Sequence, residues 1–354
     1  MTNLFDPVRL GDIDLANRVV MAPMTRSRAG AGDAPTDLNV EYYRQRASAG
    51  LIVSEGTQPS ADGKGYCRTP GIHSVAQIAG WRKVTEAVHG EGGKIVLQIM
   101  HCGRIGAKLN KDPDAETIAP SAIRAAGQMF TDAAGMVDFD EPRALETDEV
   151  PGVIAEFGQA TANALEAGFD GVELHAASGY LPMQFLSTGT NKRTDRYGGS
   201  AENRIRAVVE MLEAMAKVAG PGRVGIRICP GVLFNDIHDD DPRETYSALL
   251  KTIDPMKLAY LHLILLQTPQ VDGFAVAQAN YTGPMILNDS ITLERANQLI
   301  DTGVAAAVSF ARHFLANPDL VHRLRSGAEL ARFDRKTLYT PGSAGYTDYP
   351  MIYK

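Results

Sequence analysis

Cysteine is scarce in this 354-residue sequence. It has three thiols, Cys67, Cys102 and Cys229, an odd number in unrelated settings. That pattern supports neither a disulfide framework nor a four-ligand zinc site, and free, buried or half-buried thiols are expected. A cationic excess is missing too: 35 Lys and Arg stand against 42 Asp and Glu, a formal charge of −7. The chain therefore lacks the electrostatic footprint of a general nucleic-acid binder. No run of about 18 uninterrupted apolar residues is present to span a membrane. Met1 to Pro7 has neither a basic n-region nor an apolar stretch, so no targeting signal is read and the expected location is the cytoplasm. A Gly-x-Gly-x-x-Gly fingerprint after a strand is also absent. Ala29-Gly30-Ala31-Gly32-Asp33 has the wrong spacing, which argues against a dinucleotide held on a Rossmann unit.

What is there is a globular composition, 44% apolar and 22% charged, with plenty of core to bury. Short β-rich runs recur at Arg18–Thr25, Leu51–Thr57, Lys94–His101, Gly171–Ala177, Val224–Pro230, Tyr260–Leu265, Pro284–Asp289 and Ala306–Arg312. Continuous apolar runs of this kind suit strands buried on both faces, hence a parallel sheet covered by helices. Between them lie helical patterns. Ile78, Trp81, Val84 and Val88 make one stripe between Ser74 and Gly92-Gly93; Ile154–Ala167 stops at Gly168; Ser200 caps a run through Ile205, Val208 and Leu212 to Gly220. The alternation predicts an α/β fold, a single (β/α)8 TIM barrel spanning 1–354. There is no repeat, no low-complexity tract and no long charge block to divide it. Leu4–Leu15, around Leu10-Gly11-Asp12, reads as a hairpin closing the barrel floor. Residues 102–147 are too long for a plain connection after the third strand and are expected to form a lid over the mouth.

In such a barrel the chemistry sits at the C-terminal strand ends. The fourth strand ends in His175-Ala176-Ala177-Ser178-Gly179-Tyr180: an imidazole, a hydroxyl three residues on and a phenol five on. Facing one pocket, they would polarise an oxygen and supply a phenolic acid. The competing reading is a buried polar histidine with a tyrosine packed on its helix. Other strand ends carry Thr25, Gln98, Arg227 and Arg312, donors that suit a flat heterocycle with carbonyl and imide groups and a phosphate tail. His101-Cys102 is disfavoured as a nucleophile pair because strand neighbours point to opposite faces. His101, His175 and His262 lack metal-ligand spacing, and Asp236–Asp241 lacks the glycine and alternation of a calcium loop, so a solvated loop is expected there.

These residues, with Gln98-x-x-His101-x-Gly103-Arg104, the loop Asn191–Arg204, Phe310-Ala311-Arg312 before Ala316–Leu320, and terminal Gly345–Pro350, resemble the old yellow enzyme family. The likeness runs from Leu4 to Pro350. It implies an FMN-dependent ene-reductase that uses NAD(P)H as a transient reductant, acts on a small enone-type substrate and has no nucleic-acid or membrane partner, as a monomer or homodimer. By the resemblance, Pro23, Thr25, Gly56, Gln98 and Arg227 would contact the isoalloxazine and Arg312 its phosphate, with Asp289 in the phosphate-binding segment. His175 and Ser178 would bind the substrate carbonyl, and Tyr180 would protonate its α-carbon while hydride passes from flavin N5 to the β-carbon. Nitro compounds are a further expected substrate class. Four positions depart from the family pattern: Ser178 replaces Asn or His, Met100 replaces Trp, Ala311 replaces Gly, and Leu287-Asn288-Asp289-Ser290 stands where glycine-rich amides usually bind phosphate. The alternative from another class is a flavin- or ligand-binding barrel with only weak reductase activity, motivated by Ser178 and Asp289. A metal-dependent barrel enzyme is the fallback.

Overall fold

The computed structural model describes residues 2–266 and 268–352. Eight parallel strands close a barrel: β1 (Val19–Met21), β2 (Leu51–Val53), β3 (Ile95–Ile99), β4 (Gly171–Ala176), β5 (Val224–Ile228), β6 (Tyr260–Ile264), β7 (Met285–Asn288) and β8 (Ala307–Phe310). Closure runs through the β8–β1 pair, with Val308 opposite Val19, and every strand lies within one of the runs read from the sequence. Almost every residue of these strands is buried, as strands covered by helices outside and filled by side chains inside must be.

The helices follow their caps. Ser74 accepts from the Gln77 amide at 3.2 Å and starts Val75–Gly90, which ends before Gly92 at φ 78°. Its apolar stripe buries Trp81, Val84 and Val88 completely, each burial being worth about 1.5–3 kcal/mol for a side chain of that size. Ser200 likewise caps Ala201–Ala219. The helix before the fourth strand is longer than expected, Val150–Glu166, because Pro151 in its first turn lacks only an N–H that would be unpaired there anyway.

Inside the barrel the side chains form layers. The lowest is apolar, with Val20, Leu51, Val53, Val96, Tyr260, Ile286 and Ala307, and the hairpin Val8–Leu10/Ile13–Leu15 plugs it with Leu10, Ile13 and Leu15. The tip Gly11, at φ 56°, would place a Cβ 2.3 Å from the Gly222 carbonyl oxygen, so only glycine lets the hairpin dock. The layer above is polar and carries the site.

Residues 102–147 form the expected excursion, whose main element is the hairpin Gln128–Thr131/Gly135–Asp138. Asp236–Asp241 is largely the solvated loop expected, with Asp236, His238, Asp240 and Asp241 exposed; within it Asp239 is buried and ion-pairs with Arg204 at 3.8 Å, and Asp241 caps Pro242–Ile253. No helix among the described residues is long and apolar enough to cross a membrane.

Candidate active site

At the C-terminal end of the barrel lies a cavity of about 1040 Å³. Pro23, Thr25, Gly56, Gln98, His175, Ser178, Tyr180 and Arg312 all line it, so residues far apart in sequence meet on one surface. Arg227 is buried in the barrel wall beside His175 in register and is absent from the lining; Asp289 lines a neighbouring cavity of about 340 Å³. Ala311 and Arg312 line both, so the two spaces share a wall.

The chain from His175 to Tyr180 is shaped by two successive left-handed residues, Ser178 at φ 58° and Gly179 at φ 80°. A Cβ on Gly179 would come within 2.9 Å of Asn235 and Phe234. The Ser178 amide donates to Cys229 Sγ at 3.0 Å, and its carbonyl accepts from Asn235 Nδ2 at 2.8 Å. This turn brings the Tyr180 ring to 4.9 Å from the His175 ring, edge to face. His175 Nδ1 accepts from the Ala177 amide at 3.3 Å, so the proton of the neutral ring sits on Nε2, which has no partner among the described residues. Burial and the nearby Arg227 charge push His175 down to about 3, keeping it a neutral donor at any working pH. Burial raises the Tyr180 phenol well above its usual value, so it stays protonated.

Sequence reading missed Tyr66, whose hydroxyl lies 3.0 Å from that of Tyr180. It missed the C-terminal strap as well: Phe333, Leu338, Tyr339 and Pro341 line the cavity. Arginines tie the strap down. Arg26 donates to the Gly345 carbonyl at 2.7 Å, Arg28 to those of Thr337 and Ala344 at 2.8 and 2.9 Å, and Tyr42 stacks on Tyr346 at 4.1 Å. The available signal was the run of arginines after the first strand, Arg26 and Arg28, with no acidic neighbours to pair with. Phe130 and Met136 of the excursion face each other in register at the cavity mouth, whereas no described residue of 268–274 lines it; Gln267 lies outside the described residues. His101 and Cys102 are buried, the imidazole pushed down to about 3 and the thiol up to about 12 by burial, which leaves no reactive thiolate. Among the described residues no cluster of His, Cys, Asp and Glu could hold a metal.

Gln98 gives its amide nitrogen to Glu173 at 2.8 Å, which leaves Oε1 as an acceptor with no partner among the described residues. Arg227 Nε is buried with no partner among the described residues. An acceptor and an orphaned cationic donor on the two strands that flank β4 match the imide and carbonyl edge of an isoalloxazine, and the second cavity with Arg312 suits a phosphate tail. The residues fit FMN.

The sequence signature of the NADH:flavin oxidoreductase / NADH oxidase family matches residues 3–331. The chain belongs to this family. It is therefore an NAD(P)H-dependent flavin oxidoreductase of the old yellow enzyme type with FMN as its cofactor, as the motifs imply. It is similar to morphinone reductase solved with tetrahydroNAD: 44% identity, TM-score 0.95, covering 99% of this chain and 98% of that one. An old yellow enzyme homologue from Zymomonas mobilis superposes at TM-score 0.95 with 38% identity, over 99% and 100% of the two chains. A probable flavin mononucleotide-dependent alkene reductase of Leishmania infantum is 39% identical over 99% of this chain and 97% of its own.

Proposed function

We propose that this flavin ene-reductase reduces the activated C=C bond of α,β-unsaturated carbonyl compounds, with His175 and Ser178 holding the carbonyl oxygen and Tyr180 as the proton donor. The observation that carries the reading is the meeting of a neutral Nε2–H imidazole and a protonated phenol, rings 4.9 Å apart, in the wall of one cavity with Gln98 and Thr25. When bound, FMN supplies the hydride chemistry, taken from NAD(P)H and delivered from N5 to the β-carbon.

The remaining work falls to side chains. His175 Nε2–H donates to the carbonyl oxygen and stabilises the negative charge that grows there as the β-carbon is reduced. Ser178, with one short hydroxyl, adds a second donor, and a water fits beside it where a longer amide would reach. Tyr180 gives its phenolic proton to the α-carbon, so hydride and proton together saturate the bond. Tyr66, hydrogen-bonded to Tyr180, can share the charge left on that oxygen and pass a proton back. The apolar walls, Met100, Met129 and Phe130, exclude bulk water from the transfer. Pro23, Thr25, Gly56, Gln98 and Arg227 hold the isoalloxazine, and Arg312 with the Asp289 segment holds the phosphate. Nitroalkenes present the same polarised oxygen and belong to the proposed range. The cytoplasmic location remains part of this proposal.

The test separates the half-reactions. Protein reduced with NADPH under anaerobic conditions is mixed with 2-cyclohexen-1-one and flavin reoxidation is followed; wild type reoxidises and yields cyclohexanone, and Tyr180→Phe is impaired in this half alone. A yellow, NADPH-reducible protein that no enone or nitroalkene reoxidises supports the ligand-binding alternative instead.

A further inference from the structure

The polar layer beneath the cavity links six strands. Gln98 on β3 donates Nε2–H to Glu173 Oε1 at 2.8 Å. His262 on β6 donates Nδ1–H to Glu173 Oε2 on β4 at 2.8 Å, and Ser309 Oγ on β8 donates to His262 Nε2 at 2.8 Å. The Ser309 carbonyl accepts from Asn288 Nδ2 on β7 at 3.1 Å, and Asn288 Oδ1 accepts from Arg227 Nη2 on β5 at 2.8 Å. All six residues are buried, with Glu173, His262 and Ser309 at 0% exposure. The order Ser309–His262–Glu173 matches that of a hydrolase triad, yet no acyl group can reach a hydroxyl so enclosed. A buried hydrogen-bonded network of this kind instead fixes orientation.

The two ends of the run show what is oriented. One end is Gln98, which lines the cavity and whose Oε1 has no donor among the described residues; the other is Arg227, whose buried Nε has no partner among them. An amide side chain presents nearly the same shape when flipped, so something must choose between its oxygen and its NH2. An ionised carboxylate accepts only, and therefore captures the NH2. Burial acts to raise the Glu173 carboxyl, but the hydrogen bonds of His262 and Gln98 and the charge of Arg227 hold it below its usual value, so it is the anion that this choice requires.

We propose that Glu173 is a positioning residue of the flavin site. It locks Gln98 with Oε1 toward the flavin imide N–H, and its charge offsets Arg227 so that the site is close to neutral when the cofactor is oxidised. The inference rests on the assignment of Gln98 and Arg227 to the isoalloxazine made above. Asn288, which departs from the glycine-rich family pattern, here closes the run by tying Arg227 to β8.

Glu173→Gln tests it with readouts other than turnover. The variant amide can donate as well as accept, so Gln98 is free to flip its NH2 toward another donor, and Arg227 is left uncompensated. Apoprotein titrated with FMN by fluorescence quenching is expected to bind oxidised FMN at least tenfold more weakly. Reduced flavin carries more negative charge and loses less from the more positive site. Tenfold between the two redox states is a positive shift of about 30 mV in the two-electron potential, read by dye equilibration. In a Gln98→Leu background the affinity loss from Glu173→Gln should shrink, since its route is gone. Glu173→Asp keeps the charge with a shorter reach; it should weaken FMN binding without moving the potential, and it serves if the glutamine variant does not fold. Unchanged affinity and potential in variants that have only a lower melting temperature overturn the proposal, because Glu173 would then be structural. A wild-type apoprotein that takes up no FMN overturns the flavin-site assignment itself.

Discussion

Replacing Tyr180 with phenylalanine removes one oxygen and leaves the ring that packs against Met100, Met129 and Phe139. Folding should change by about 1 kcal/mol, the value of the hydrogen bond to Tyr66. The chemical cost is larger. A positioned general acid contributes about 10²–10⁴ in rate, which is about 3–5 kcal/mol of barrier at 1.36 kcal/mol per decade. The structure selects the lower part of that range, because Tyr66 sits 3.0 Å behind the lost hydroxyl and is itself a protonated phenol, pushed up to about 12 by burial. With a water in the space left by the oxygen, Tyr66 can still supply a proton, so the oxidative half-reaction should slow about a hundredfold and the double variant with Tyr66→Phe further. Reduction by NADPH takes no proton from Tyr180 and should keep its rate. Stopped-flow absorbance under nitrogen measures each half separately. Wild-type reoxidation should also be flat across neutral pH, because Tyr180 titrates well above that range and His175 well below it. Equal slowing of both halves, or none in reoxidation, refutes the role given to the phenol.

Ser178 sits at φ 58°, where asparagine is the best-tolerated non-glycine residue, and asparagine also reaches further. Ser178→Asn should raise the melting temperature slightly and increase enone turnover severalfold; unchanged steady-state rates would show that position 178 does not face the carbonyl. Asp289 and Arg312 share the smaller cavity, so Asp289→Asn should tighten FMN binding, most at low salt, in a fluorescence titration run at two ionic strengths. Glu55, next to Gly56, has its carboxyl raised by burial from 4.5 to about 7, against the opposing Arg26 charge. The folded state thus binds this proton more tightly than the unfolded chain. The contribution is complete below pH 4.5 and lost as pH rises through 7, a decline of about 3 kcal/mol. Urea unfolding at pH 5 and pH 8 should show that decline attenuated in Glu55→Gln.

Much of the barrel was legible because each strand is a short apolar run bounded by glycine, polar residues or a helix cap, and these are local signals. Leu51–Val53 and Ile95–Ile99 were bracketed within wider runs because the residues that follow them, Ser54–Thr57 and Met100-His101, are also buried but belong to the rim. Site candidates at strand ends were legible for a topological reason: once a chain is a (β/α)8 barrel, the residues after each strand share one face. Tyr66 carried no such label, since it lies in a loop after β2 and reaches Tyr180 only through the tertiary path of the chain. The strap was hidden too, because a segment without periodicity announces nothing until its carbonyls are seen to accept from Arg26, Arg28 and Arg68.

The sequence by itself therefore determined the barrel, the floor hairpin, the excursion over the mouth, and the inventory of donors suited to a flavin and a carbonyl. Period, caps and motif spacing are properties of neighbours along the chain. Only the tertiary structure decided how those donors are aimed: which nitrogen of His175 carries the proton, which end of the Gln98 amide is left free, and why Arg227 has an unpaired Nε. The Gln98 amide and Arg227 take their partners from other strands, 75 and 61 residues away, placed within hydrogen-bond distance by closure of the barrel, whereas the His175 tautomer is set by the turn after its own strand, which aims the Ala177 amide at Nδ1.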